Sequence, residues 1–214
     1  MTVSPVDFAS LLCSRLCHDL LSPVGALNNG LELLADETDP DMRQRVLDLL
    51  SESARASANK LKFFRLAFGA AGGFGEQVDS REAKTAIEGL LTDNKRTELG
   101  WMVEAGTLPK PAIKVLLNLA MIASEALVRG GKIDVGGEET GGQLEIVIKI
   151  EGPRIILDPE LRATLVNGEG EGGVTPRAAA AYLVHTIASG AGGAVMVSEP
   201  TDNAMVFGAV FNAR

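Results

Sequence analysis

His18 and Asp19 stand side by side in Arg15-Leu16-Cys17-His18-Asp19-Leu20-Leu21-Ser22-Pro23, and they are the residues of this 214-residue chain best suited to do chemistry. Imidazole is a nucleophile and a base near neutral pH. An adjacent carboxylate can orient the ring or hold the proton on one nitrogen, which leaves the other nitrogen free to attack. On a helix turning about 100° per residue, Leu12, Cys13, Leu16, Cys17, Leu20, Val24, Leu27, Leu31 and Leu34 fall on one face. His18 points away from the middle of that face, among Ser14, Ser22, Gly25, Asn29 and Glu32. A histidine that served packing would sit on the other side. Ordinary solvated surfaces also carry His-Asp neighbours, so this local pattern leaves a bland reading open.

The other candidates for chemistry are weaker. Cys13 and Cys17 lie four apart on the apolar face, and a metal site would need two further ligands; both are expected to be small buried hydrophobes. The run Gly168-Glu169-Gly170-Glu171-Gly172-Gly173 is glycine-rich, but its two glutamates would repel phosphates and it has no Walker-type lysine. It reads as a loop before a helix at Pro176. No cofactor or metal site is expected on this chain.

The elements that must position His18 are helices. The first is expected from Val6 or Asp7 to near Asp36, with Pro23 inside it. Proline there removes one intrahelical bond and frees the carbonyl of Asp19, so a bend is expected just past the histidine. Asp39 as N-cap, Pro40 in the first turn and Asp41 beside the positive end of the helix dipole start the next helix. Val46, Leu50, Ala54, Ala58, Leu61, Phe64 and Phe68 carry it to Phe68, with alanines where another helix could approach closely. Such an antiparallel hairpin leaves apolar stripes that outrun one partner helix, which predicts a homodimer closing a four-helix bundle, the alternative being that the second half of the chain covers the exposed seam.

Four glycines in Gly69–Gly75 then read as a linker, dividing the chain into 1–70 and 71–214. Beyond it the expected elements are helices at Ser80–Asp93, Pro111–Val128, Pro159–Leu165 and Pro176–Ser189. Strands are expected at Leu99–Glu104, Lys132–Val135, Leu144–Ile150, Ala194–Ser198 and Met205–Phe211. They make a mixed sheet with helices on one face. The whole is α plus α/β: a helical hairpin followed by an α/β sandwich.

A net charge of −8 and 22% charged residues argue against nucleic acid or an anionic membrane, either of which needs a basic patch. No apolar run reaches the roughly 18 residues of a membrane span. Met1–Ser10 lacks the features of a signal peptide. A cytoplasmic protein with a protein or small-molecule partner is expected.

The spacing His18-Asp19-x-x-x-Pro23 resembles the phospho-acceptor box of two-component histidine kinases, with Leu21 and Ser22 where those kinases carry a basic residue and then Thr or Asn. The wider string from Leu16 to Leu34, with Arg65-Leu66-Ala67-Phe68-Gly69-Ala70, resembles the ChpT-type histidine phosphotransferases of alphaproteobacteria. Residues 115–127 resemble the Asn-rich helix of the kinase ATP-binding domain, and residues 192–199 its penultimate strand. Against that pattern Asn118 is present, but Ile122 replaces the second magnesium-binding asparagine, and an isoleucine cannot ligate a hard cation. Ile150 replaces the adenine-reading aspartate; of that box only Gly152 is kept.

A histidine box without a working kinase site implies relay rather than autophosphorylation. By this resemblance His18 takes a phosphoryl group from the receiver domain of a hybrid kinase and passes it to response regulators, CtrA and CpdR types among them. Asp19 assists it, and magnesium sits in the partner receiver only. Arg15, Leu21, Ser22 and Gly25 are the expected docking surface, with Arg65 and Arg154 as further candidates. The competing readings are an ATP-dependent sensor-type histidine kinase and a non-catalytic dimeric binding protein.

Overall fold

Ser4 starts the first helix: its Oγ accepts from the Asp7 amide at 3.1 Å and Pro5 lies in the first turn, giving α1 (Pro5–Asp36). Asp39 does the same for α2 (Pro40–Ala67), where one carboxylate oxygen accepts from the amides of Asp41 and Met42, both at 2.9 Å. The computed structural model describes residues 3–69, 76–92, 96–169 and 173–212. The two helices pack as the expected antiparallel hairpin. Their close approach is at Gly30, where an added Cβ would stand 2.8 Å from Leu50 Cδ2. The alanines expected to serve that purpose, Ala54 and Ala58, face outward.

The remaining elements follow as β1 (Gln77–Asp79), α3 (Ser80–Leu91), β2 (Thr97–Val103), β3 (Thr107–Pro109), α4 (Lys110–Ala126), β4 (Gly131–Thr140), β5 (Gln143–Glu151), α5 (Pro159–Asn167), α6 (Ala179–Gly190), β6 (Ala194–Val197) and β7 (Ala204–Asn212). Five strands form one sheet in the order β2-β4-β5-β7-β6. Of the neighbouring strands only β2 and β4 pair in parallel, so the sheet is mixed. The short pair β1–β3 was not foreseen; three residues are too few for a period-two pattern to show.

Alternation along β5 and β7 buries Leu144, Ile146, Ile148, Ile150, Met205, Phe207, Ala209 and Phe211 on one face. Against it lies α4, buried nearly all round: Ile113, Leu116, Leu117, Leu119, Ala120 and Ile122 are each 2% exposed or less. Because α4 has sheet on one side and α2 and α3 on the other, a single core runs from Phe63, Phe64, Leu66 and Ala67 to the sheet. The expected boundary at 70/71 and most of the expected linker lie outside the described residues. Among the described residues no helix is long and apolar enough to cross a membrane.

Candidate functional site

Pro23 is buried within α1, and its missing N–H leaves the Asp19 carbonyl without its helical donor. Lys60, from α2, supplies one: its Nζ donates to that carbonyl at 3.1 Å. One turn earlier Arg15 is buried, and its Nε donates to Asp19 Oδ2 at 2.7 Å. Its Nη2 pairs with Glu125 of α4, and its Nη1 donates to the Arg177 carbonyl at 3.3 Å. Arg177 in turn meets Asp158 at 2.7 Å. Asp19 is thus held by side chain and by backbone, and its free Oδ1 lies 3.1 Å from His18 Nδ1. The His18 side chain is 84% exposed while that of Asp19 is only 18% exposed.

Burial works against the charge on Arg15, but the carboxylates of Glu125 and Asp19 outweigh it and hold the guanidinium above its ordinary pKa. Burial pushes the Glu125 carboxyl upward, with Arg15 pulling it back only in part. The chemistry available is that of an orientable imidazole: Nδ1 carrying a proton toward Asp19, and Nε2 presenting a lone pair to solvent.

The nucleotide positions have been turned to packing. Asn118 is wholly buried and its Nδ2 donates to the carbonyls of Ala67 at 3.1 Å and Lys114 at 2.8 Å. It bolts α4 to the end of α2. Ile122 and Ile150 lie in the core, at 2% and 0% exposure. Gly152 packs so tightly that an added Cβ would stand 2.7 Å from the Gly130 carbonyl oxygen. Magnesium and nucleotide do not fit this residue set, since apolar side chains occupy the places of two oxygen donors. Between Gly152 and Gly168 the expected short helix is present as α5. Gly170–Gly172 lie outside the described residues.

Of the docking candidates, Leu21 is 69% exposed, and Ser22 is also exposed one turn beyond His18. Gly25 follows on the same side, and nothing stands within 4 Å of where its Cβ would be. Arg65 is exposed on α2 and lines a cleft against α3 with Lys62 and Arg81. Arg154 is exposed after β5, and its carbonyl accepts from the Val128 amide at 3.2 Å. Two expectations are corrected. Arg15 is an internal strut rather than a docking residue, because its donors are taken up by Asp19, Glu125 and the Arg177 carbonyl. Cys13 and Cys17 are exposed, not buried, because the covered face of α1 runs through Arg15, Pro23 and Gly30. His185 lies in α6, where its Nδ1 is 3.1 Å from the Leu165 carbonyl and its ring stands over Gly168.

Sequence reasoning missed Lys60, Glu125 and Arg177. Glu125 had a signal, as the one acidic residue of the largely apolar α4. The freed Asp19 carbonyl implied some donor, but nothing local said which.

Known proteins align with this geometry. Residues 80–203 match the family described as the histidine phosphotransferase C-terminal domain. The protein phosphotransferase ChpT of Brucella abortus (strain 2308) is 39% identical over 160 residues, 75% of either chain. A bacterial phosphotransferase solved at 1.7 Å is 33% identical, covers 98% of both chains and superposes with a TM-score of 0.86. A histidine kinase domain from the Erythrobacter litoralis blue-light activated kinase EL346 shares the fold alone, at 10% identity and a TM-score of 0.50 over 90% of this chain and 94% of that one. An acceptor-type helix followed by a kinase-like layer whose nucleotide positions are filled is what these relatives explain: the chain belongs to the ChpT-type histidine phosphotransferase family.

Proposed function

We propose that this phosphorelay phosphotransferase carries its phosphoryl group on His18, taking it from the receiver domain of a hybrid histidine kinase and passing it to response regulators of the CtrA and CpdR types. In the first step the Nε2 lone pair attacks phosphorus in line. The N–P bond forms as the P–O bond of the receiver's aspartyl phosphate breaks, and the aspartate departs with the electron pair as a carboxylate. In the second, an acceptor receiver's aspartate attacks the phosphohistidine and the N–P pair returns to Nε2. Positioning and charge neutralisation carry such transfers, and magnesium belongs to the receivers' acidic pockets.

The observation that supports this most is the exposed imidazole whose Nδ1 is engaged by Asp19. Leu21, Ser22 and Gly25 offer a flat, partly apolar approach beside it. The protein works as a homodimer. Cys13, Cys17, Leu20, Val24, Leu27, Leu31 and Leu34 repeat at alternating spacings of four and three, the seam of a bundle, and Val24 and Leu31 are 43% and 58% exposed in one copy. A second copy covers that seam. In this reading 1–70 is the transfer hairpin, 71–214 is its degenerate ATP-binding-like support, and the protein acts in the cytoplasm.

The test is incubation with a radiolabelled phospho-receiver, following acid-labile label. Wild-type chain takes it up. A chain labelled instead from ATP alone would be a kinase, and one labelled by neither a binding protein.

A further inference from the structure

Glu125 of α4 reaches the acid beside the acceptor through Arg15. A guanidinium presents Nε and Nη2 along one edge, a fork that matches both oxygens of a single carboxylate. Here that edge is divided. Nε donates to Asp19 Oδ2 at 2.7 Å, and Nη2 goes to Glu125. Asp19 Oδ1 is therefore spared for His18 Nδ1, at 3.1 Å. Were Nη2 free, the favoured arrangement would be the bidentate one, with both Asp19 oxygens on Arg15 and the imidazole released. Two further contacts fix the frame: Arg15 Nη1 on the Arg177 carbonyl at 3.3 Å, and Lys60 on the Asp19 carbonyl at 3.1 Å. Both come from outside α1, so the setting of the acid is made by tertiary structure.

We propose that Glu125 is a positioning residue for phosphoryl transfer: by occupying one arm of the Arg15 fork it keeps Asp19 Oδ1 on His18 Nδ1, so that the proton stays there and Nε2 remains the nucleophile. The kinase-like layer, its nucleotide positions filled, thereby becomes part of the transfer site. The proposal rests on His18 being the acceptor. It adds that an acidic side chain more than 100 positions away in sequence selects the reactive tautomer.

The test uses the full-length protein and a phosphorylated receiver domain. Glu125→Gln keeps the shape and removes the charge. It should lower kcat roughly tenfold, the loss expected of one charge-assisted hydrogen bond, with KM for the phospho-receiver unchanged. By 15N NMR its His18 should shift away from the Nδ1–H tautomer. Glu125→Asp should recover part of both. Arg15→Lys keeps the buried charge but has no fork to close on both Asp19 oxygens, so in that background Glu125→Gln should cost no further kcat. Wild-type turnover and tautomer in folded Glu125→Gln, or the full kcat loss from Glu125→Gln in a folded Arg15→Lys background, overturn the proposal. A wild-type chain that takes no label overturns the relay reading instead, and the tautomer comparison between wild type and Glu125→Gln then decides this one.

Discussion

At the scale of single residues, the two histidines of this chain have opposite fates. His18 projects from α1 at 84% side-chain exposure, so removing it opens no cavity. His185 is half-buried against the Leu165 carbonyl. His18→Ala should therefore abolish uptake of label from a phospho-receiver while circular dichroism and melting stay as in the wild type. His185→Ala should still be labelled at the wild-type rate. Label on the His18 variant would mean another side chain is the acceptor. The identity of His18 as the candidate was legible because its type, its neighbour and the proline five positions on are all local. The role of Arg15 was not, since a helix projection says which side an arginine faces and nothing of which carboxylates wait there.

For the elements, α1 and α2 depend on ends and on one close contact. Asp39 satisfies two amides of α2 at 2.9 Å, so Asp39→Ala should destabilise the hairpin by about 1 kcal/mol, read from the shift of a urea midpoint. At Gly30 the gap to Leu50 is too small for a side chain. Gly30→Leu should cost about 1–3 kcal/mol by overpacking, and wild-type stability in that variant would show that the helices part there freely. The start of α2 at Pro40 was written in its capping residues and proved readable, whereas α1, expected from Val6 or Asp7, begins at Pro5 behind its Ser4 cap. The exposure of Cys13 and Cys17 was not, because an apolar stripe wider than one partner helix can be covered on either side.

Over the whole molecule, two measurements bear on assembly and on the filled nucleotide site. The seam carrying Val24 and Leu31 outrun by one hairpin should bring two chains together, and light scattering should give twice the 22.4 kDa chain mass. A monomer persisting at tens of micromolar, roughly 6 to 7 kcal/mol of dissociation free energy, would count against the bundle. Calorimetry with ATP and magnesium should give no heat of binding. Ile122 and Ile150 are core residues rather than ligands, so low-micromolar binding at one site per chain would place the nucleotide somewhere other than these positions.

What the sequence by itself determined is what depends on neighbours along the chain: the helical periods, the caps at Ser4 and Asp39, the alternation of β5 and β7, the His18-Asp19 pair, and the loss of oxygen ligands at 122 and 150. These are set within a few residues, where spacing fixes which face a side chain occupies. Tertiary structure alone decided the Arg15 fork, the donation of Lys60 to the carbonyl that Pro23 frees, and the conversion of Asn118 into a bolt between α4 and α2. Apart from the Arg15–Asp19 arm, each joins groups dozens of residues apart through a buried or part-buried hydrogen bond. Such a bond forms only once packing has excluded water and left the polar atom no other partner.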